Sequence, residues 1–371
     1  MNSKISVRKC EEYDLNKIIN LISDIYSKTG GPEVHGKKVL LKPNILSEND
    51  PEKCVSTHPV VVEAMIRFLQ SKGATVFVGD SPAIHTQRFR GEKCGIRQVV
   101  ELTGAIWVDF LLDPVEKKIR NHDVRIASIV DKVDLIISLP KFKTHELMYF
   151  TGAVKNTFGL LPGFSKAKQH ALFSDRNRFG KFLVDLNEAI TPDYCLMDGI
   201  MGMEGPGPGT KGYPINIGLL FGSTNPLAMD LIATRVAGYD PLAIPTSKIA
   251  LVRKIWLKSE DDITYDGPEI NSLIKTDFKR IPIKTNNNIS VQFIKKRIPF
   301  LRKFERRPFF IHDKCTGCHK CVNICPMRAI EPDQSNRTRI VLTDNRCIRC
   351  FCCAEVCTDD AIDIRVKIFG V

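Results

Sequence analysis

The sequence predicts an α/β protein, a parallel or mixed sheet with helices on both faces, plus a small α+β domain at the C-terminus. Three observations lead there. Before residue 265, short β-rich apolar runs alternate with helical periods. A basic stretch then breaks the alternation, and residues 311–371 hold two copies of one cysteine pattern. At 371 residues the chain is also too long for one compact core. The expected division is an α/β domain over 1–265, a basic connecting segment over 266–310 and a cysteine-rich domain over 311–371.

The elements follow in order. KKVLLKPNIL gives a strand at about 38–42, and THPVVVEAMIRFLQSKG a helix with Thr57 as N-cap, Pro59 in the first turn and Gly73 as the stop. Further strands are expected at ATVFVGDSP, IWVDF, VDLIISLP, DYCLMD and INIGLLFG. Helices are expected around 93–102, 178–190, 226–237 and 246–257. In such folds ligands bind beyond the carboxyl ends of the strands. There the sequence places Lys42 and Asn44, Asp80 and Ser81, then Lys141, Lys143 and His145, then Asp198. A Gly/Pro-rich stretch with Glu204, GIMGMEGPGPGTKG, is expected as a loop. It fits neither a dinucleotide-binding glycine motif nor a P-loop.

FTGAVKNTFGLLPG, residues 150–163, sets the single cation Lys155 among glycines and apolar residues. Glycine removes side-chain bulk, so Gly152 and Gly159 would let a ligand approach the ammonium closely. Desolvated, Lys155 would be a nucleophile; charged, it would bind a carboxylate or phosphate, with Lys141, Lys143 and His145 adding to the field.

The net charge is +12, and eleven Lys or Arg against two acids lie between Lys275 and Arg307. No nucleic-acid-binding motif accompanies the charge, so nucleic acid is not the expected partner. KKRIPFLRKFERR, residues 295–307, reads as a solvated linker or as an interface for an acidic redox partner. No apolar run is long enough for a membrane span, and the N-terminal MNSKISVRKCEEYD carries no secretory signal, so a cytoplasmic location is expected.

Of thirteen cysteines, nine lie within 315–357. CTGCHKCVNICPMRAI (315–330) and CIRCFCCAEVCTDDAI (347–362) align without gaps, each as C-x2-C-x2-C-x3-C. Zinc sites more often use two separated ligand pairs. The pattern resembles bacterial-type ferredoxins with two [4Fe–4S] clusters. There the fourth cysteine of each run serves the other cluster. The resemblance thus implies one cluster on Cys315, Cys318, Cys321 and Cys357, and a second on Cys347, Cys350, Cys353 and Cys325. Pro326 matches that pattern and Thr358 departs from it. Cys352, a ninth cysteine, breaks the spacing and reads as a buried thiol beside the cluster.

LIISLPKFKTH, FTGAVKNTFGLLPG, MDGIMGMEGPGP and NPLAMD, in that order before such a tail, resemble the family called domain of unknown function 362. This implies an iron–sulfur protein with an α/β domain. LPKFKTH…FTGAVKN…LLPG is more distantly similar to the catalytic domain of lactate racemase-type enzymes. That likeness implies shared-site roles for His145 and Lys155, and for His170 as a further histidine. Ala-Val stands before Lys155 where that pattern has Gly-Arg, so a nickel cofactor is not carried over. Together these readings imply a ferredoxin-linked oxidoreductase. In it Lys155, His145, Asp198 and Glu204 would act as catalytic groups, while Lys141 and Lys143 would hold an anionic small molecule. The alternative is an electron-transfer or docking subunit without catalysis of its own.

Overall fold

The computed structural model describes residues 3–82, 91–163, 165–173, 175–283, 306–336 and 339–366. The chain opens with β1 (Ser3–Lys9), α1 (Leu15–Thr29), β2 (Lys38–Pro43), α2 (Pro59–Ser71), β3 (Thr75–Val78), α3 (Ile96–Thr103) and β4 (Ile106–Trp107). A hairpin, β5 (Pro114–Ile119) and β6 (His122–Ala127), precedes β7 (Leu135–Leu139), β8 (Lys141–His145) and β9 (Tyr149–Thr151). Then come α4 (Ala153–Asn156), α5 (Ser165–Leu172), α6 (Arg176–Ala189), β10 (Tyr194–Glu204), β11 (Tyr213–Ser223), α7 (Pro226–Val236), α8 (Pro245–Val252), β12 (Ile263–Asp266) and α9 (Ile270–Leu273).

One ten-stranded sheet runs β12-β1-β11-β10-β7-β2-β3-β4, with β8 and β9 attached beside β10. Its centre is parallel, from β4 through β10, while β11 runs antiparallel to both β10 and β1. The mixed sheet expected from the alternation is present. Side chains alternate along each strand, so each strand feeds two cores. Val39 and Leu41 pack with α1, α2 and α3 on one face, and Leu40 with α6 on the other. Likewise Leu196 joins the first face, while Cys195 and Met197 meet α7.

Three local readings change. The cap of α2 is His58, whose ring accepts the Val60 N–H at 3.3 Å. Thr57 instead ties β2 to β7, donating from Oγ1 to the Leu139 carbonyl at 2.7 Å and accepting the Asn44 N–H at 2.9 Å. The glycine-rich stretch after Asp198 is strand for half its length, because β10 continues to Glu204. Its glycines serve packing: a Cβ on Gly199 would lie 2.9 Å from the Leu219 carbonyl oxygen and from the Phe221 ring, and one on Gly202 2.9 Å from Ile217. The stretch 266–310 is structured at both ends. Leu273, Phe278 and Ile281 are buried in the α7 core, and 306–310 is a strand, β13 (Arg306–Phe310). Residues 284–305, with most of the expected 295–307 interface, lie outside the described residues.

In the C-terminal domain, β13 pairs with β16 (Ile362–Val366), and β14 (Ile330–Pro332) with β15 (Ile340–Leu342). Each pair takes one strand from each cysteine repeat, so the repeats are interlocked. Their backbones match as well. Gly317 and Arg349, His319 and Phe351, and Arg328 and Asp360 all hold positive φ, and each pair stands 32 positions apart, the offset of the repeats. Among the described residues no helix is long and apolar enough to cross a membrane.

Candidate functional site

Strand β8 is entirely buried, and its alternation sorts its side chains. Phe142 enters the α7 core, while Lys141, Lys143 and His145 share the opposite side. Lys141 meets Asp198 at 2.6 Å, both fully buried. Tyr13 accepts from Lys141 at 3.1 Å and donates to Asp198 at 3.2 Å, and the His58 N–H donates to the same carboxylate at 2.9 Å. Asp198 and Lys141 thus neutralise each other inside a satisfied network. Glu204 is tied down as well: it accepts the Lys279 N–H at 2.8 Å and pairs with that ammonium at 3.1 Å. Lys143 donates to the Val55 carbonyl at 2.6 Å. Burial, with repulsion from Lys155 and Lys141, holds its pKa well below the ordinary lysine range.

His145 accepts the Leu147 and Met148 N–H groups through Nδ1, at 3.1 and 3.3 Å. The proton therefore sits on Nε2, which faces Glu355 of the C-terminal domain at 3.5 Å. Burial first, then Lys155, keeps the ring neutral.

The glycines flanking Lys155 have another use than the one expected. A Cβ on Gly152 would sit 2.1 Å from Asp230 Oδ1, and one on Gly159 would sit 2.1 Å from Asp80 Oδ1 and 2.4 Å from Lys42 Nζ. They make room for protein carboxylates. Asp230 caps α4, accepting the Ala153 and Val154 N–H groups at 2.5 and 3.1 Å; burial pushes its pKa up to about 7. Asp80 pairs with Lys42 at 2.8 Å and accepts the Ile45 and Ser81 N–H groups.

Above that pair lies a cavity of about 50 Å³. The strand ends supply Asn44, Asp80 and Ser81; the segment after β9 supplies Lys155, Asn156 and Phe158; α5 supplies Lys166 and His170. The far wall belongs to the other domain: Ile324, Cys352 and Glu355. Lys155 Nζ stands 5.9 Å from the centre of the Phe158 ring and has no hydrogen bond or ion pair among the described residues. Burial lowers its pKa, with Glu355 and Cys352 opposing. Lys166 donates to the Ser81 and Pro82 carbonyls, and burial lowers its pKa to about 7. His170 packs at a tilt against Phe179, ring centres 4.4 Å apart, is held neutral with a pKa of about 3 by burial, and leaves Nδ1 unpaired. Asn44 Oδ1 is likewise buried and unpaired. A cavity with free donors and acceptors and a surplus of ammonium groups suits a small polar anion.

Of the residues read from the sequence as site candidates, Lys155 and His170 line this cavity, together with the strand-end Asn44, Asp80 and Ser81. His145 and Lys143 stand behind it, and Lys141, Asp198 and Glu204 are elsewhere. Lys166 and Glu355 were missed, because a lysine in a polar helix and an acid between two cysteines carry no local signal. Cys352 is buried, as its spacing implied, and lies on the cavity wall.

Cys315, Cys318, Cys321 and Cys357 line one cavity. The Ala329 N–H donates to Cys325 Sγ at 3.2 Å and the Ala361 N–H to Cys357 Sγ at 3.3 Å, equivalent bonds in the two repeats. Cys321, Cys325 and Cys353 pack into one cluster, and Cys347 is also buried. These thiols and the matched left-handed turns suit iron–sulfur clusters. The domain meets the sheet through Arg306–Glu146 at 2.6 Å, Lys211–Asp363 at 3.3 Å and Thr210–Asp360 at 2.5 Å.

Comparison with known proteins gives the following. Residues 39–235 match the domain of unknown function DUF362, and residues 314–361 a 4Fe-4S dicluster domain. The thylakoid-associated protein sll1697 of Synechocystis sp. is 34% identical over 252 residues, 66% of this chain and 78% of that protein. The ferredoxin of Methanothermococcus thermolithotrophicus is 39% identical over 56 residues, 15% of this chain and 90% of its own. Among solved structures, a Thermotoga maritima structural-genomics protein aligns with TM-score 0.36 and 13% identity, over 56% of this chain and 55% of that one. The lactate racemase apoprotein of Thermoanaerobacterium thermosaccharolyticum aligns with TM-score 0.39 and 12% identity, over 62% and 56%. The chain thus spans little more than half the length of these two structures.

Proposed function

This chain belongs to the DUF362 family and is an iron–sulfur protein with a 4Fe-4S dicluster domain; from that premise we propose an oxidoreductase in which two [4Fe–4S] clusters exchange electrons with a small anion held between the domains. Cys315, Cys318, Cys321 and Cys357 would hold one cluster, and Cys325, Cys347, Cys350 and Cys353 the other. When bound, the clusters supply one-electron transfer.

The rest falls to the chain's own side chains. Lys155 and Lys166 hold the anion. The unpaired Nδ1 of His170 and the Oδ1 of Asn44 orient it, the Asn44 oxygen accepting from a hydroxyl or N–H that the anion carries. Phe158, Ala167 and Ile324 limit water in the cavity. His145 positions Glu355, and the Lys42–Asp80 pair fixes the floor. Lys141 with Asp198, and Glu204 with Lys279, brace the strands that carry these groups. The observation that carries the reading is one cavity lined both by strand-end groups of the α/β domain and by Cys352, next in sequence to Cys353. Joining carrier and site in one chain raises their effective concentration.

The test is anaerobic purification of the full chain and of Lys155→Ala, with iron and sulfide analysis and mass spectrometry of the small molecules released. The expected result is equal iron in both and a bound anion in the parent that the variant lacks. The same small-molecule content in both proteins would overturn the assignment.

A further inference from the structure

The two cysteine repeats match in spacing and in backbone, yet one aligned pair differs sharply in chemistry. Gly317 and Arg349 hold equivalent left-handed positions, with φ of 68° and 61°. That conformation suits glycine and strains residues that carry a Cβ. The second repeat accepts the strain and places a guanidinium there.

The guanidinium turns inward, leaving 11% of the side chain exposed. Its Nη2 donates to both Asp344 oxygens at 2.9 Å, and Arg307 pins Asp344 from the other side at 3.2 Å. Nε and Nη1 are buried and reach no nitrogen or oxygen acceptor. Cys347, two residues away, lies beside the guanidinium and interacts with it through its sulfur. Idle donors on a buried cation are costly. The arrangement makes sense if the sulfurs beside it carry negative charge, as metal-bound thiolates do.

We propose that Arg349 makes the two clusters inequivalent: it donates to the sulfurs of the cluster on Cys325, Cys347, Cys350 and Cys353, and raises that cluster's reduction potential above its twin's. The inference rests on the two-cluster reading above. Reduction adds negative charge to a cluster, and a fixed cation with N–H groups aimed at its sulfurs stabilises that form. Among the described residues, the cavity of the other cysteine set is lined by His319 and Lys320 and by no arginine. Gly317 has no side chain, and that cavity is lined by Asp359, which disfavours added electrons. Lys320, on the same cavity, is exposed and screened by solvent.

The asymmetry gives the electron route a direction. Cys318 is exposed, so its cluster is the one an external one-electron carrier can reach. The Arg349 side adjoins the anion cavity through Ile324 and Cys352. A reduced carrier is oxidised at the outer cluster, and that electron passes downhill to the inner one.

The experiment is a redox titration followed by electron paramagnetic resonance on the full chain, prepared anaerobically with iron and sulfide counted. Arg349→Gly mimics Gly317 and suits the backbone. One midpoint should fall by at least about 59 mV, a tenfold change in the ratio of a one-electron couple, while the other stays. Arg349→Lys, which keeps the charge, should recover part of the shift. Unchanged midpoints, or an equal fall of both, overturn the proposal. Should Arg349→Gly lose iron, Arg349→Gln is titrated instead: one lowered midpoint supports the proposal, and none refutes it. A parent protein with about four iron atoms per chain would sink the two-cluster reading itself, before any variant is compared.

Discussion

Lys141 and Lys42 are balanced by Asp198 and Asp80, whereas Lys155 and Lys166 face the cavity with no carboxylate at contact distance among the described residues. The sequence made Lys155 stand out, but the flanking glycines pointed to the wrong cause. They admit Asp230 and Asp80, which contact only the fold brings together. Gly159→Ala should therefore damage the Lys42–Asp80 pair. Breaking a buried pair costs about 3–5 kcal/mol, read as lost unfolding free energy in denaturant melts; a loss under about 1 kcal/mol would contradict the packing described. Lys166 yields a pH prediction. Its pKa is lowered to about 7, so it carries charge below that pH and loses it above. Binding of inorganic phosphate, followed by calorimetry, should weaken as pH rises through about 7. In Lys166→Met that step should shrink.

The helices and central strands were readable because their apolar periods are long and their stops are marked, as with Gly73 after α2. Strand β8 was not, since KFKTH looks polar. Its lysines are buried because Asp198 and the Val55 carbonyl receive them, and its His145 faces Glu355 of the other domain. The extension of β10 was hidden by glycines chosen for packing. At this scale α4 carries the sharpest dependence on pH. Asp230 caps it with a pKa raised to about 7 from 3.8. A carboxyl whose folded-state pKa is raised gives stability that is complete below about pH 4 and lost as pH rises through about 7. The loss is on the order of a few kcal/mol. Denaturant unfolding of the parent and of Asp230→Asn between pH 4 and 8 should show a decline in the parent that the variant lacks. Parallel curves would refute the role given to Asp230.

The cysteine repeats made the C-terminal dicluster domain legible, because their spacing and left-handed turns recur at an offset of 32 positions. Its place against the sheet was not legible. The contacts that fix it, Arg306 to Glu146 and His145 to Glu355, join residues far apart in sequence with no shared pattern. Glu146→Ala removes the partner of Arg306. It should speed hydrogen exchange in β8 and β13 while leaving α1 and α2 unchanged; uniform exchange rates would mean that this pair does not hold the domains together. The cavity exists only where the two domains meet, and the account depends on clusters lying beside it. The most direct measurement is iron and sulfide content with electron paramagnetic resonance of the anaerobically prepared, reduced chain. About eight iron atoms per chain and the signal of two interacting [4Fe–4S] clusters are expected. An iron-free protein, or one holding stoichiometric zinc, would contradict the account.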